Sequence, residues 1–129
     1  MVYNQIKETG IYVKDLRISE EFYCGKLGLQ MIGKSEGRHI FLRAGTSILL
    51  CFIASATTED KVLPPHGGYG QIHFALETPH ENYQAAKDEL ISNGILIIHE
   101  QTWKNGVKSF YFRDPDGHLV EIVTPMLWI

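Results

Sequence analysis

The sequence predicts an α+β fold made of two consecutive βαβββ modules. Three observations carry that expectation: turn signals containing glycine recur at short intervals, one Pro-rich break at residues 54–70 divides the chain, and the same order of strand, helix and three strands can be read on each side of it. The halves share element order and little letter identity, so the repeat is structural rather than literal. Two four-stranded curved sheets, each with a helix on one side, would form a trough lined by alternate residues of their first and last strands. The expected layout is a single domain over residues 1–129, with module one at 4–53, a linker at 54–70 and module two at 71–125.

Module one opens with a strand over residues 5–13. Asp15 or Ser19 then caps a short helix that places Ile18, Phe22 and Leu29 near one face, and Gly25 and Gly28 help to end it. Residues 30–35, 38–44 and 47–53 read as three further strands, because Gly37 and the Gly45-Thr46 pair stand where tight turns belong. In the linker, Leu63-Pro64-Pro65-His66-Gly67-Gly68 is compatible with neither a helix nor a central strand. Module two begins with a strand over residues 71–77. Thr78-Pro79-His80-Glu81 follows as a capping box with proline at the first helical position, Tyr83, Ala86 and Leu90 share a helix face, and Gly94 closes the helix. Residues 95–103, 107–112 and 118–124 supply three more strands, joined by Asn105-Gly106 and Asp116-Gly117 turns.

Composition bounds the function. With 129 residues, 44% of them hydrophobic, the chain is long enough for one domain with a real core. Its 12 Lys and Arg are interspersed with 15 Asp and Glu, which excludes the concentrated basic face that nucleic acid needs as a main ligand. The longest apolar runs, residues 48–53 and 95–98, fall far short of the roughly 18 residues that cross a membrane. The first residues lack a charged start followed by an apolar stretch, so no signal peptide is expected. Cys24 and Cys51 are too few and too far apart for a disulfide framework or a zinc knuckle, and neither has His or basic neighbours that would make it a nucleophile. A reduced, cytoplasmic protein is the expectation.

Three polar residues fall on predicted strands. Glu121 lies among Leu119, Val120, Ile122 and Val123, where a carboxylate costs several kcal/mol unless it is paired or metal-bound. The alternative is an edge glutamate reaching water, Lys108 or Arg113. His73 shares a strand face with Gln71 and Ala75, as a ligand or as a core histidine with one partner. Glu8 shares a face with Ile6, Gly10 and Tyr12, or is merely solvated. All three stand at comparable places on the first, fifth and last strands. One imidazole with two carboxylates suits a divalent ion such as Mn²⁺, Fe²⁺, Co²⁺, Ni²⁺ or Zn²⁺, and leaves positions open for substrate oxygens. His39, His66 and His118 read as solvated or structural, with His66 in a loop that either covers the site or only crosses over. Trp103, Phe41 and Tyr12 line the cavity or belong to the core.

The stretch Ser109-Phe110-Tyr111-Phe112-Arg113-Asp114-Pro115-Asp116-Gly117-His118-Leu119-Val120-Glu121 resembles the C-terminal signature of the vicinal oxygen chelate superfamily, which includes glyoxalase I, fosfomycin-resistance thiol transferases, extradiol dioxygenases and bleomycin-resistance proteins. Tyr12-Val13-Lys14-Asp15-Leu16 with Glu21-Phe22-Tyr23 and Leu27-Gly28 resembles its first module, so the resemblance covers essentially the whole chain. It implies metal ligation by Glu8, seven residues before Asp15 and in place of the more usual His, by His73, and by Glu121. A tighter match at Tyr69-Gly70 moves the second ligand to Gln71. The fourth ligand of glyoxalase I falls near Leu49, which cannot bind metal, a departure from a true glyoxalase I. The resemblance further implies Glu8 or Glu121 as the carboxylate that moves a substrate proton, and Gln71, Ser109 and Tyr111 as substrate-binding positions, although Ser-Phe-Tyr-Phe is also an ordinary strand. The implied function is a metal-dependent glyoxalase-like enzyme of isomerase, lyase or thiol-transfer type, with a small-molecule substrate and a possible thiol cosubstrate. The rival is a metal-free, ligand-sequestering protein of the bleomycin-resistance type, and third is an extradiol-type dioxygenase. The family also implies a homodimer, to which the apolar Met126-Leu127-Trp128-Ile129 tail would contribute.

Overall fold

The computed structural model describes residues 1–129, which divide into two compact units, Met1–Gly70 and Gln71–Ile129. In the first unit, β1 (Glu8–Tyr12), β2 (Gln30–Ser35), β3 (His39–Ala44) and β4 (Ser47–Phe52) form one sheet in the order β1-β4-β3-β2. β1 runs parallel to β4, and the other pairs are antiparallel hairpins. The expected strand over residues 5–13 is shorter as an element, but its ladder extends beyond it: Ile48 N–H donates to the Lys7 carbonyl and Val13 N–H to the Phe52 carbonyl. Gly37 and Gly45 turn the two hairpins with φ of 72° and 61°, a region other residues enter only with strain.

Between β1 and β2, α1 (Leu16–Glu20) is capped by Asp15, whose carboxylate accepts from the N–H groups of Arg17 and Ile18. The helix then widens into a π segment over Glu21–Lys26. The wider turn changes which side chains face inward. Adjacent Phe22 and Tyr23 are both buried, with rings 5.1 Å apart edge to face, whereas Ile18 points outward and Ser19 points in. The simple 3.6-residue face expected through Ile18, Phe22 and Leu29 is therefore corrected by the register shift that a π turn introduces. Gly25 lies inside this segment, and Gly28, at φ 80°, ends it.

The linker is not wholly irregular. It begins with a short helix, α2 (Ala54–Thr57), and is tied back to the sheet by the Arg38 guanidinium, whose two terminal nitrogens donate to the two oxygens of Asp60.

In the second unit, β5 (His73–Glu77), β6 (His99–Thr102), β7 (Lys108–Arg113) and β8 (Leu119–Val123) repeat the arrangement in the order β5-β8-β7-β6, with β5 parallel to β8. The expected capping box is not formed. Pro79 precedes a 3-10 turn, His80–Asn82, that leads into α3 (Tyr83–Ser92), and no side chain caps either start. Tyr83 and Leu90 are the buried residues of α3, as the spacing requires, and Gly94 follows it at φ 86°. β6 starts later than expected, at His99. The Tyr83 hydroxyl and the Lys87 ammonium both donate to Glu100 Oε2, at 2.8 and 2.9 Å, which fastens α3 to this edge strand.

Each sheet has one face against its helix and one face open. In the second unit the helix-side face carries Phe110 and Phe112, both fully buried, with the Phe110 ring 5.4 Å from Tyr83. No helix is long and apolar enough to cross a membrane. Truncating Phe110 to Ala removes the centre of that core, and we expect a loss of about 3–5 kcal/mol in chemical denaturation. A loss below about 1 kcal/mol would mean that this site collapses freely and is not the packing centre described.

Candidate functional site

Strand register decides which side chains meet. In the second unit His73 pairs with Leu119, Ala75 with Glu121, Tyr111 with Glu121, and His99 with Tyr111. Paired residues share a face, so His73, Glu121, Tyr111 and His99, with Ser109 and Gln101, all stand on the open face of one sheet.

At its centre, His73 Nε2 lies 3.1 Å from Glu121 Oε1. The other ring nitrogen, Nδ1, is 3.0 Å from the Leu119 carbonyl oxygen. A carbonyl only accepts, so Nδ1 carries the hydrogen, and a neutral His73 presents the lone pair of Nε2 to the carboxylate. Two acceptors facing each other at this distance need a positive charge, either a proton on Nε2 or a cation bound by both groups. Glu121 is almost wholly buried, and its second oxygen, Oε2, is also buried with no hydrogen-bond partner. An imidazole nitrogen converging with an incompletely satisfied carboxylate is a donor set that fits a divalent transition ion. The histidine is half-exposed rather than a core residue, and Glu121 reaches neither Lys108 nor Arg113, whose guanidinium instead donates to the Gly117 carbonyl.

The remaining expected residues divide. Tyr111 stands beside the pair, its ring 6.1 Å from that of His73. Burial pushes its phenol pKa up; Ser109 opposes that shift, and the Glu121 carboxylate adds to it. Ser109, two residues from Tyr111 on the same face of β7, is fully buried; its hydroxyl accepts from Trp103 Nε1 at 3.0 Å and offers no accessible surface to a substrate. Gln71 precedes β5, and its carboxamide lies over Gly117, where a β-carbon would collide with it. Of the two alternatives on that strand, His73 is the one brought to Glu121. Glu8 opens β1 in the first unit and is exposed, paired in register with Ile48. Leu49, 2% exposed, is on the opposite, helix-side face, and the residues flanking it, Ile48 and Leu50, are also apolar. Within the second unit the two expected ligands His73 and Glu121 stand together, and Glu8 belongs to the first unit.

The open face of the first unit is aromatic. His39 stacks on Phe41 at 3.9 Å and 4°, and Phe52 lies edge-on to both His39 and His66, at 6.1 and 4.5 Å. Burial, then the Arg38 charge, pushes the His39 pKa down, so this imidazole is a packed neutral ring rather than a solvated turn residue. His118 is structural, as expected: it is 2% exposed and its Nδ1 accepts from the Ile72 N–H. Cys51 is buried and Cys24 half-buried, with the Cys24 thiol pKa pushed up by burial and then by Glu20, the reverse of activation.

His99 and Gln101 were not singled out by the sequence. Counting back from the Asn105-Gly106 turn, which pairs Thr102 with Lys108, places His99 opposite Tyr111 and so could have found it.

The profile of the Glyoxalase/Bleomycin resistance protein/Dioxygenase superfamily matches residues 5–122. A crystal structure of lactoylglutathione lyase from Agrobacterium tumefaciens superposes with a TM-score of 0.92 at 32% identity, covering 98% of this chain and 97% of that one. Catechol-2,3-dioxygenase of Bacillus subtilis is 30% identical over 111 residues, 85% of this chain but only 38% of the dioxygenase. Metallothiol transferase FosB of Lysinibacillus sphaericus is 28% identical over 117 residues, 89% of this chain and 78% of the transferase.

The raised Tyr111 pKa has a stability consequence with a definite sign. The folded state disfavours the phenolate relative to an unfolded tyrosine titrating near pH 10, so this contribution is complete below about pH 10 and is lost as pH rises through the folded value. Tyr111→Phe is expected to flatten the alkaline fall in stability measured by denaturation above pH 10. An unchanged slope would show that the phenol is freely solvated.

Proposed function

This chain belongs to the Glyoxalase/Bleomycin resistance protein/Dioxygenase superfamily, and we propose that it acts there as a metal-dependent enzyme on a small substrate bound through two adjacent oxygens. The observation that carries the reading is the His73–Glu121 pair, with one ring nitrogen committed to a carbonyl, the other aimed at a carboxylate, and a buried oxygen left over. His73 and Glu121 would hold the ion, and Glu8 is proposed as the third ligand on the motif spacing. When bound, a divalent ion such as Mn²⁺, Fe²⁺, Co²⁺, Ni²⁺ or Zn²⁺ supplies Lewis-acid polarisation of the substrate's oxygens.

The chain's own residues divide the remaining work. Tyr111, a protonated phenol at neutral pH, donates a hydrogen bond to a substrate oxygen. Glu121 is enclosed and paired, so its role is to fix charge. The exposed Glu8 is the carboxylate better placed to exchange a proton with solvent. Isomerase, lyase or thiol-transfer chemistry is favoured over ring cleavage, because a lyase and a thiol transferase are among the relatives matched over most of their length, whereas the catechol dioxygenase is matched over 38% of its own, and a thiol cosubstrate is part of this reading. We further propose a cytoplasmic homodimer, for which the exposed Met126, Trp128 and Ile129 supply apolar surface.

A second reading, a metal-free binding protein, is favoured by one feature: β4 offers only Ile48, Leu49 and Leu50 where a fourth ligand would stand. Elemental analysis of protein purified without chelators decides between them. The metal-dependent reading expects near-stoichiometric metal in the wild type, a loss of tenfold or more in affinity in His73→Ala and Glu121→Ala, and a similar loss in Glu8→Ala. Failure of all five ions to bind the wild type would leave the ligand-sequestering reading standing. Retention of metal in Glu8→Ala alone would remove Glu8 from the ligand set.

A further inference from the structure

His73 is the first residue of β5, and the chain reaches it through residues 64–72, which form neither helix nor strand. A side chain at the first position of a strand is aimed only as firmly as that end of the strand is held. The ladder with β8 begins at the His73–Leu119 pair, and just ahead of it the Ile72 carbonyl accepts from the Leu119 N–H at 2.8 Å. Continued one step further, a parallel ladder would send the Ile72 N–H to the carbonyl of residue 117. That carbonyl is turned elsewhere: Gly117 lies in the turn at φ 85°, and its oxygen accepts from the Arg113 guanidinium at 3.0 Å.

The acceptor is instead a side chain. His118 Nδ1 takes the Ile72 N–H at 3.1 Å, so an imidazole nitrogen fills the place of a ladder carbonyl. The backbone that carries this ring is fixed through both of its polar groups: the His118 N–H donates to Asp114 Oδ1 at 2.8 Å, and the His118 carbonyl accepts from the Asp114 N–H at 3.0 Å. His118 and Asp114 are both buried, so water competes little for these bonds. Gln71 is seated as closely on the same turn, since a β-carbon at Gly117 would fall 2.3 Å from Gln71 Nε2. The turn therefore grips residues 71 and 72, immediately ahead of His73.

Resting on the metal-dependent reading, we propose that His118 is the positioning residue for His73: by accepting from the Ile72 N–H it holds the end of β5 at which His73 meets the Leu119 carbonyl and aims Nε2 at Glu121. His118 is not itself a ligand. Remove its acceptor and the Ile72 N–H loses its partner, the strand end loosens, and the imidazole and the carboxylate no longer converge on one ion.

The test sets His118→Asn against His118→Leu in the full-length chain. The Asn carboxamide oxygen stands the same number of bonds from the backbone as Nδ1 and accepts a hydrogen bond, whereas Leu fills the site and offers no acceptor. Mn²⁺ is titrated by calorimetry into metal-free protein, and unfolding by denaturant is followed on the same samples. His118→Leu is expected to weaken Mn²⁺ binding about tenfold, and His118→Asn to stay within about threefold of the wild type. His118→Gln, whose amide lies one bond further out, is expected to bind as the Leu variant does, and it supplies the same comparison if His118→Leu does not fold. With His73 already replaced by Ala, His118→Leu is expected to add less than about a twofold change, because the route through His73 is already cut. A purely structural role would lower resistance to denaturant and leave the Mn²⁺ affinity of the folded variants at the wild-type value, which overturns this proposal while leaving the metal site intact. Equal weakening in the Asn and Leu variants overturns it too, as does a further loss of about tenfold in the His73→Ala background. Failure of the wild type to bind Mn²⁺ overturns the metal-dependent reading and this proposal with it.

Discussion

The parallel pairing of β5 with β8 is the contact on which the candidate site depends. Every antiparallel pair in the molecule is a hairpin and follows from a local turn; the two parallel pairs, β1 with β4 and β5 with β8, join residues about 40 to 46 apart and can form only after the intervening helix and hairpins have folded back. Register there is strict, because slipping β5 by one residue would turn His73 to the helix side and bring Phe74 to the open face. The same pairing also provides the atom that sets the histidine's tautomer, the Leu119 carbonyl, so one ladder fixes both where His73 is and which nitrogen it presents.

Two units with one topology carry different chemistry on their open faces. In the first, Tyr12, Phe41, Phe52 and His39 make an aromatic surface, and the Arg38–Asp60 pair anchors the linker. In the second, the equivalent surface is a row of hydrogen-bonding groups, Ser109 among them accepting from Trp103 Nε1. The helix-side faces, by contrast, are alike: Ile11, Ile40, Leu42 and Cys51 in one, Phe110, Phe112, Val120 and Ile122 in the other. Packing constrains the buried faces to one solution, while the open faces are free to diverge, which is why the repeat is visible as element order and not as shared letters.

That asymmetry also explains what the sequence disclosed. Turns were the most legible features, since Gly37, Gly45, Gly106 and Gly117 all have the positive φ that their positions demand. Strand faces followed by alternation, and the Asp15 cap by its spacing. The helix of the first unit was misread because a π turn breaks the periodicity on which the expectation rests, and the Thr78 capping box failed because Pro79 holds an extended backbone ahead of a 3-10 turn. Within the site, Glu121 and His73 were legible as polar intrusions in apolar strands. Ser109 was legible as a position, but not as a buried acceptor, because nothing local reveals that Trp103, six residues earlier, turns back to donate to it.

Two histidines on the same parallel ladder show why residue type and burial together still fall short of function. His118 and His73 each make a hydrogen bond through Nδ1 to backbone across the β5–β8 boundary, but with opposite polarity. His118 Nδ1 accepts from the Ile72 N–H, so its Nε2 carries the hydrogen and the ring completes the ladder's end as a neutral, buried strut. His73 Nδ1 donates to the Leu119 carbonyl, so its Nε2 is the basic atom, and that atom faces a carboxylate. The backbone group each ring meets, donor in one case and acceptor in the other, decides which histidine is structural and which is available to bind a cation. That choice is made by a carbonyl and an amide on facing strands, and it is invisible until the register is known.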